Sequence, residues 1–580
     1  MNGNTTTSTA SDLFFAAAYG SAARYASVQK SLSQPSAYST LRLNFHPTST
    51  ASECLAALEQ EMLPLNARLA QQNRPPYTIY PHAIVPHCFV IPSSPPPPPP
   101  PPPQQLATTN QVVVDRRCGE SVLKGADIFA KGILACTRPL AAGSTVQIFA
   151  VSKSRCPRGS RPEEFYAAAA QHSTDVVVEI GRGIVLQSRH DIFQKDTGVA
   201  VEVCSRCALP DAPPLNALVH RLNRSTAGSS SATFFAQTVP SMVASCALDP
   251  QPNELVLDMC ASPGGKTTHL ASLMQGRGTV VAFDKTKSKV LKIQKLAAAM
   301  GFSNVIYALC GNSTTVVDAE AQGGVEDVLK EVDQLVESGE SGTVVVVRVV
   351  VRKKKTTTTV EHTPEEKKEN ESSGGCSTIP AATITTTTAD DLPTPTPTPI
   401  VVVNTSMGLP PNSFDKILLD PPCSALGQRP RLVSTGNTTL HTLAQCADYQ
   451  MVLMRNAIEL LKVGGTLVYS TCTHNPCENE MVVAQTLMEY TNMELIELPS
   501  GLSTMGSCGL PRQQIQQAME VMERSERSGG KDEFMKRVCG WKHRGLSEDN
   551  NGKVRRFDPD GPEDSIGFFV AKFRKKKEAP

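Results

Sequence analysis

Two cysteines sit in short loops that follow apolar runs. Cys423 lies in "LLDPPCSALGQRP", which begins at Leu418, and Cys472 lies in "YSTCTHNPCENE", which begins at Tyr469. A thiol attacks as its thiolate, so two thiols at adjacent strand ends in one cleft point to nucleophilic chemistry. Any single cysteine is more often a buried structural residue. What shifts the balance here is a third stretch, "LDMCASPGGKTTHL", from Leu257 to Leu270. Gly265, Lys266 and Thr267 fit the end of a G-x-x-x-x-G-K-[ST] phosphate loop, but Cys260 stands where the first glycine belongs. No Mg²⁺-binding acid of Walker B type accompanies it. Gly264 and Gly265 instead let the backbone approach a ligand, and Asp284 ends the next apolar run, "VVAFD". An acid about twenty residues after such glycines accepts hydrogen bonds from the hydroxyl pair of a ribose. The ligand is then adenosine-like. S-adenosylmethionine fits, with ribose on Asp284 and the methionine part along the loop from Cys260 through Ala261, Ser262, Pro263, Gly264 and Gly265 to Lys266. A tight turn with a solvated aspartate is the plain alternative.

These residues need elements to hold them. From Pro250 onward strand-like runs alternate with helical ones: "ELVLDMC" then "KTTHLASLMQ", "TVVAFD" then "KSKVLKIQKLAAAM", then "VIYALC", "DKILLD", "YQMVLMRNAIELLK", "GTLVYST" and "ENEMVVAQTLMEY". This is the pattern of an α/β fold with a parallel sheet, in which ligands sit beyond the carboxyl ends of the strands. Every stretch singled out above falls at such an end. Residues 111–205 are different: short β-type runs such as "TVQIFAV" and "VVVEIGRGIVL", punctuated by glycine, predict a small β-barrel. Residues 1–110 read as an α+β segment, with "STLRLNF" as a strand and "ASECLAALEQEML" as a helix. The proline run Pro95–Pro103 is a stiff spacer. Residues 206–580 carry the α/β pattern, interrupted at about 319–411 by threonine, proline and charge runs that cannot bury a core and read as disordered. Within that span "VVVVRVVV" has strand propensity.

Composition excludes some classes. At 580 residues the chain is too long for one ordinary core. A net charge of +1 argues for no global nucleic-acid or membrane attraction, so local charge must decide. No apolar run is long enough to span a bilayer. Seventeen scattered cysteines, an odd number, suit a reducing compartment. The cytoplasm is expected, with the nucleus as the alternative. "LFFAAAYGSAARYA" near the start predicts an amphipathic surface helix, with a transit peptide as the competing reading. No metal cluster is expected, and a monomer is.

In their order, the stretches "DMCASPGGKT", "DPPCS" and "STCT" resemble the first, fourth and sixth motifs of the NOL/NOP/Sun-domain RNA cytosine-5 methyltransferases. "VVVDRRCGESVLKGADIFAKGIL" further resembles the start of the PUA domain found in one branch of that family. "SLSQPSAYSTLRLNF" and "DSIGFFVAKF" resemble that branch's N-terminal segment and closing strand. The resemblance implies a class I, Rossmann-like methyltransferase sheet with an inserted PUA barrel, S-adenosylmethionine as cofactor, and RNA as substrate. It implies tRNA at the end of its acceptor stem, with mRNA hairpins as a further substrate, and 5-methylcytosine as product. Cys472 would add to C6 of the ring and Cys423 would assist release of the adduct. In DNA cytosine methyltransferases the Pro-Cys cysteine attacks instead, so position alone leaves the two roles open. Asp420 would hold the cytosine N4 amine, protonate N3 and border the cofactor. Lys266 would lower the thiol pKa or touch the base. Two departures stand out: Pro421 and Ala425 replace the usual Ala and Gly, and Asn312 replaces the acid expected to contact adenine.

The target base must leave its stack to reach a thiol. "SKSRCPRGSR" gathers Lys153, Arg155, Arg158 and Arg161 in one loop of the barrel, suited to phosphate, with a solvated loop as the alternative. Three rival functions stay open at the level of sequence. An NTPase conflicts with Cys260. Amino-group methylation at Asp-Pro-Pro needs an aromatic residue where Cys423 stands. An RNA-binding scaffold with a decayed site conflicts with the joint presence of Cys472, Cys423, Asp420 and Lys266.

Overall fold

A computed structural model of the chain describes residues 9–44, 51–71, 73–93, 110–172, 175–207, 213–225, 234–318, 324–337, 344–349, 400–405, 408–432, 438–529, 533–541 and 545–577. The proline run Pro95–Pro103 lies outside them.

Among the described residues, the largest sheet has ten strands. Its middle runs in the order Ile306–Cys310, Thr279–Asp284, Leu255–Asp258, Phe414–Leu419 and Leu461–Thr471, all parallel. Strand Phe568–Lys575 joins antiparallel to Leu461–Thr471, and Met493–Ile496 and Arg555–Phe557 pair with it. The chain order reverses on either side of Leu255–Asp258. That is the switch point where a crevice opens above the strand ends. The inner strands are β-branched and apolar on both faces because helices cover both faces. Helix Leu440–Leu460 shows why the sequence folds so locally. Thr439 caps it by accepting a hydrogen bond from the Thr442 backbone N–H, and Leu443, Ala447, Met451, Met454 and Ile458 fall on one buried stripe.

The disorder expected at about 319–411 needs correction at both margins. Helix Val325–Glu337 buries Val325, Val328 and Val332 in the main core. "VVVVRVVV" supplies strand Val344–Val349, which extends the parallel sheet beside Ile306–Cys310, and Ile400–Thr405 adds one more parallel strand. Runs of valine were read together with the polar runs around them, although their β-branched side chains suit a buried strand. Residues 350–399, including Lys353 to Lys355, lie outside the described residues.

A second sheet orders Phe234–Ala236, Tyr38–Leu43, Cys88–Pro92 and Tyr80–Pro81, all antiparallel. Its outer strand comes from beyond the barrel. Helix Leu215–Ser225 and strand Phe234–Ala236 therefore belong with the N-terminal α+β unit rather than the methyltransferase sheet, with Leu41 opposite Ala236. The third sheet has six strands between Asn110 and Arg206, with Val112, Ile133, Ile148, Ile180 and Val201 in its core. Helix Arg116–Leu123 docks this unit on the large one: the Leu432 backbone N–H donates to Glu120 at 3.2 Å, and Leu432 packs against the barrel core.

The N-terminal helices Ala10–Ala18 and Ala22–Leu32 bury Phe14, Phe15, Ala18, Tyr25 and Val28 in the main core, while Leu13 is exposed. The helical reading is right there, but the apolar face meets protein. No helix among the described residues is long and apolar enough to cross a membrane.

Candidate active site

The crevice is lined by the loops that follow Asp258, Asp284, Cys310, Leu419 and Thr471. The glycine loop is held from behind. Ala261 N–H donates to the Phe283 carbonyl at 2.9 Å, and Gly264 N–H to the Ala261 carbonyl at 2.8 Å. Gly264 has φ +108°, a conformation side chains rarely adopt, and a Cβ there would press on Leu296. The backbone is bare for that reason.

Asp284 ends its strand with its side chain 6% exposed. Its carboxylate accepts from Lys285 N–H at 2.7 Å and Ser262 N–H at 3.2 Å, and pairs with Lys289 Nζ at 3.1 Å. The acid thus meets the glycine loop directly, as a ribose clamp requires. Asn312 is exposed, and its Oδ1 accepts from Thr314 N–H at 3.2 Å and Thr314 Oγ1 at 2.9 Å. That oxygen caps its own turn. The donor set of Asp284 and the glycine loop suits the ribose and methionine parts of S-adenosylmethionine.

Lys266 projects from the first turn of helix Gly265–Leu273 across the crevice. Its Nζ pairs with Asp420 Oδ2 at 2.8 Å and lies 5.5 Å from the centroid of the Phe568 ring. Burial pulls the ammonium pKa down, but the charge and hydrogen bond of Asp420 outweigh it and the net direction is up. Asp420 Oδ1 accepts from Ser470 Oγ at 2.7 Å. The Lys266–Asp420 salt bridge lies inside the crevice, beside the two cysteine loops.

Beside that pair, Cys423 Sγ and Cys472 Sγ stand 3.3 Å apart. The hydrogen bond from Cys423 pulls the Cys472 thiol below its ordinary value, against burial and Asp420; Gln428 and Lys266 pull the same way. Cys423 is pushed the other way by that hydrogen bond, by burial and by Glu478. The two thiols titrate as a pair, and their surroundings make Cys472 the more readily ionised of the two.

Sequence reasoning missed the groups beneath. Glu478 is fully buried, as are Gln450 and Tyr469. Asp258, 1% exposed, accepts from Thr267 Oγ1 at 2.8 Å, and burial pushes it up to about 7. Its place at the end of the first strand was a readable signal. Gln450, on the helix between the two cysteine loops and 19 residues before Tyr469, had none.

The barrel loop is less free than expected. Lys153 and Arg155 both pair with Asp175. Arg158 donates to the carbonyls of Ile133 and Ala130, pairs with Asp196 at 2.7 Å and sits over Phe193. It holds the loop together, and a phosphate would have to compete for it. Arg161 is exposed at the start of helix Pro162–Ala170. Among the described residues, no three His, Cys, Asp or Glu side chains come together as a metal site.

A doubly wound sheet with this crevice and two facing thiols defines a class I methyltransferase fold with a cysteine-based site. Comparison with known proteins agrees. Residues 245–372 and 400–524 match the family described as 16S rRNA methyltransferase RsmB/F, and residues 110–205 match the PUA domain. The chain is 30% identical to the rRNA (cytosine-C(5))-methyltransferase NOP2C of Arabidopsis thaliana, over 97% of this chain and 89% of that protein. It is 28% identical to the tRNA (cytosine(72)-C(5))-methyltransferase NSUN6 of Homo sapiens, over 96% and 92%. A crystal structure of NSun6 from Pyrococcus horikoshii with SFG shares the fold, with a TM-score of 0.54 at 22% identity and 98% of each chain covered. The chain belongs to the RsmB/F (NOL1/NOP2/Sun) family of RNA cytosine-C5 methyltransferases and carries a PUA domain.

Proposed function

We propose that the chain methylates C5 of a cytosine in tRNA, near the end of the acceptor stem, with S-adenosylmethionine as methyl donor and a covalent Cys472–C6 bond as intermediate. The observation that carries this reading is the thiol pair at 3.3 Å beside the Lys266–Asp420 ion pair. Asp284 and the loop from Cys260 to Lys266 would hold the cofactor, which when bound supplies an electrophilic methyl group. Cys472, the more acidic thiol, adds to C6 and turns the ring into an enamine nucleophilic at C5. Asp420, fixed by Ser470 and Lys266, accepts from the N4 amine and relays to N3 a proton that the Lys266 ammonium provides. After transfer the C5 proton passes to water, N3 gives back its proton, the C6–S bond breaks with the Cys472 sulfur leaving as a thiolate, and Cys423 assists release by donating its hydrogen bond to that sulfur. The barrel, with Lys153, Arg155 and Arg161 at its rim, captures the RNA. The similarity to a protein named for rRNA makes ribosomal RNA the competing substrate.

The experiment incubates purified protein with tRNA and rRNA in parallel and locates 5-methylcytosine by mass spectrometry. Methylation of tRNA at the acceptor-stem end is expected. Methylation confined to rRNA would overturn the substrate. On a denaturing gel with labelled RNA, Cys423→Ala should accumulate an adduct and Cys472→Ala should form none. An adduct on the Cys472→Ala protein would reverse the two roles.

A further inference from the structure

Glu478 lies six residues past Cys472 and is fully buried. Its carboxylate has no cation paired with it among the described residues. Instead N–H donors converge on it: Ser424 N–H at 2.9 Å and Gln450 Nε2 at 2.8 Å on Oε2, and Asn475 Nδ2 at 2.8 Å on Oε1. Bonds that all run inward are the pattern of an ionised acid. Burying such a charge is costly when no cation offsets it. Burial accordingly raises the acid's pKa. A fold that only needed packing here would fill the space with an apolar side chain.

The partners show what the charge does. Ser424 directly follows Cys423. Asn475 belongs to the Cys472 loop. Gln450 also donates to the Pro422 carbonyl at 3.0 Å and accepts from Tyr469 OH at 2.9 Å. Ser424 Oγ and Thr473 Oγ1 are 2.8 Å apart, and Gly427 N–H donates to the Cys472 carbonyl at 3.0 Å. The two cysteine loops are thus tied on both sides of the thiols, with Glu478 as the common acceptor. The charge also lies on the Cys423 side of the pair. We infer that Glu478 is a positioning residue of the reaction: it clamps the Cys423 loop to the Cys472 loop, and its negative charge beside the Cys423 loop favours Cys423 as donor and Cys472 as acceptor of the bond between them. This rests on the covalent reading above and deepens it. The other ionisable groups facing the couple are Lys266 and Asp420 on the cofactor side, Lys124 and Arg431 on the outer side, and Cys446 and Tyr469 near Glu478.

The test alkylates the full chain with iodoacetamide across pH 6–9 and reads each cysteine by peptide mass spectrometry, without RNA or cofactor. In the parent protein Cys472 should react ahead of Cys423. In Glu478→Gln, which keeps the shape and removes the charge, that preference should fall by about tenfold, the effect of one pKa unit. Its kcat should fall by a similar factor with KM for RNA unchanged. Melting temperature and S-adenosylmethionine binding report whether the variant is folded. A folded Glu478→Gln protein with the parent preference and kcat overturns the inference. Gln450→Ala loosens the clamp but keeps the charge, so the preference should persist while kcat falls; parent kcat there overturns the clamp even if Glu478→Gln fails to fold. Failure of the covalent reading is distinguishable, because it appears as a missing RNA adduct and leaves the alkylation order readable.

Discussion

At the scale of single residues, the site works by unequal surroundings for chemically equal groups. Cys423 and Cys472 are both thiols at strand ends, and sequence alone left their roles open. Their surroundings differ: Lys266 and Gln428 favour ionisation of Cys472, and Glu478 accepts from the backbone N–H next to Cys423 and disfavours ionisation there. On the proposed roles, Cys423→Ala removes a hydrogen bond from Cys472 as well as the release group. Its adduct should accumulate, but form more slowly than in the first turnover of the parent, which rapid-quench gels would read. Asp258 offers a second test. Burial holds it up to about 7, above an unfolded value of about 3.9. The unfolded chain thus binds fewer protons between those values, and this group's contribution to stability is present below about pH 4 and lost as pH rises through about 7. Asp258→Asn keeps an acceptor for Thr267 and removes the titration. The variant's melting temperature relative to the parent should therefore climb from pH 5 to pH 8, by the equivalent of roughly 2–4 kcal/mol. A difference that stays flat with pH would sink the assignment. Asp284, Cys423 and Cys472 were legible because strand ends in an α/β pattern are where ligands bind. Glu478 acts through burial and through partners as far off as Ser424, 54 residues back, which residue type does not encode.

At the scale of elements, the alternation of strands and helices from Pro250 was legible because each apolar run had a clear period. The two strands at the outer edge were not, because Val344–Val349 and Ile400–Thr405 are separated by fifty residues of low-complexity sequence. They pair in parallel, Val344 opposite Ile400. A parallel pair cannot be closed by a tight turn: the chain must return along a strand of about 20 Å, which takes a dozen or more residues. Replacing residues 350–399 with a Gly/Ser linker of about 15 residues should leave methylation within about twofold. A four-residue linker should break the edge pair and lower the melting temperature. Removing residues 325–398 instead takes away Val325, Val328 and Val332 from the main core, and cavities of that size cost several kcal/mol. If the 15-residue linker abolishes activity, residues 350–399 contribute more than connection.

At the scale of the whole molecule, the first helices and the last strands close on the same loop that carries Cys472. Nothing in the local sequence pattern announces this, since Tyr19 and Arg556 are 537 residues apart. Arg556 is 1% exposed and joins four segments. It donates to Glu480 Oε1 at 3.0 Å, to Asp558 Oδ1 at 3.1 Å, to Tyr19 OH at 3.1 Å and to the His474 carbonyl. Tyr19 OH in turn donates to Asp558 at 3.0 Å, and the Phe15, Tyr19 and Tyr25 rings surround His474, two residues after Cys472. The terminal helices are therefore part of what holds the nucleophile loop. Arg556→Ala leaves the fully buried Glu480 without its cation. Breaking one side of a buried pair costs about 3–5 kcal/mol, whereas replacing both charges with apolar groups is often neutral. Arg556→Ala should thus lower the unfolding midpoint in urea markedly, and Arg556→Met with Glu480→Leu should recover most of it. Activity should separate from stability in the double variant, because the tie to the His474 carbonyl and Tyr19 is not restored. A double variant that regains both stability and kcat would show that the four-way junction serves folding alone. A single variant as stable as the parent would show that the charge of Glu480 is met in some other way.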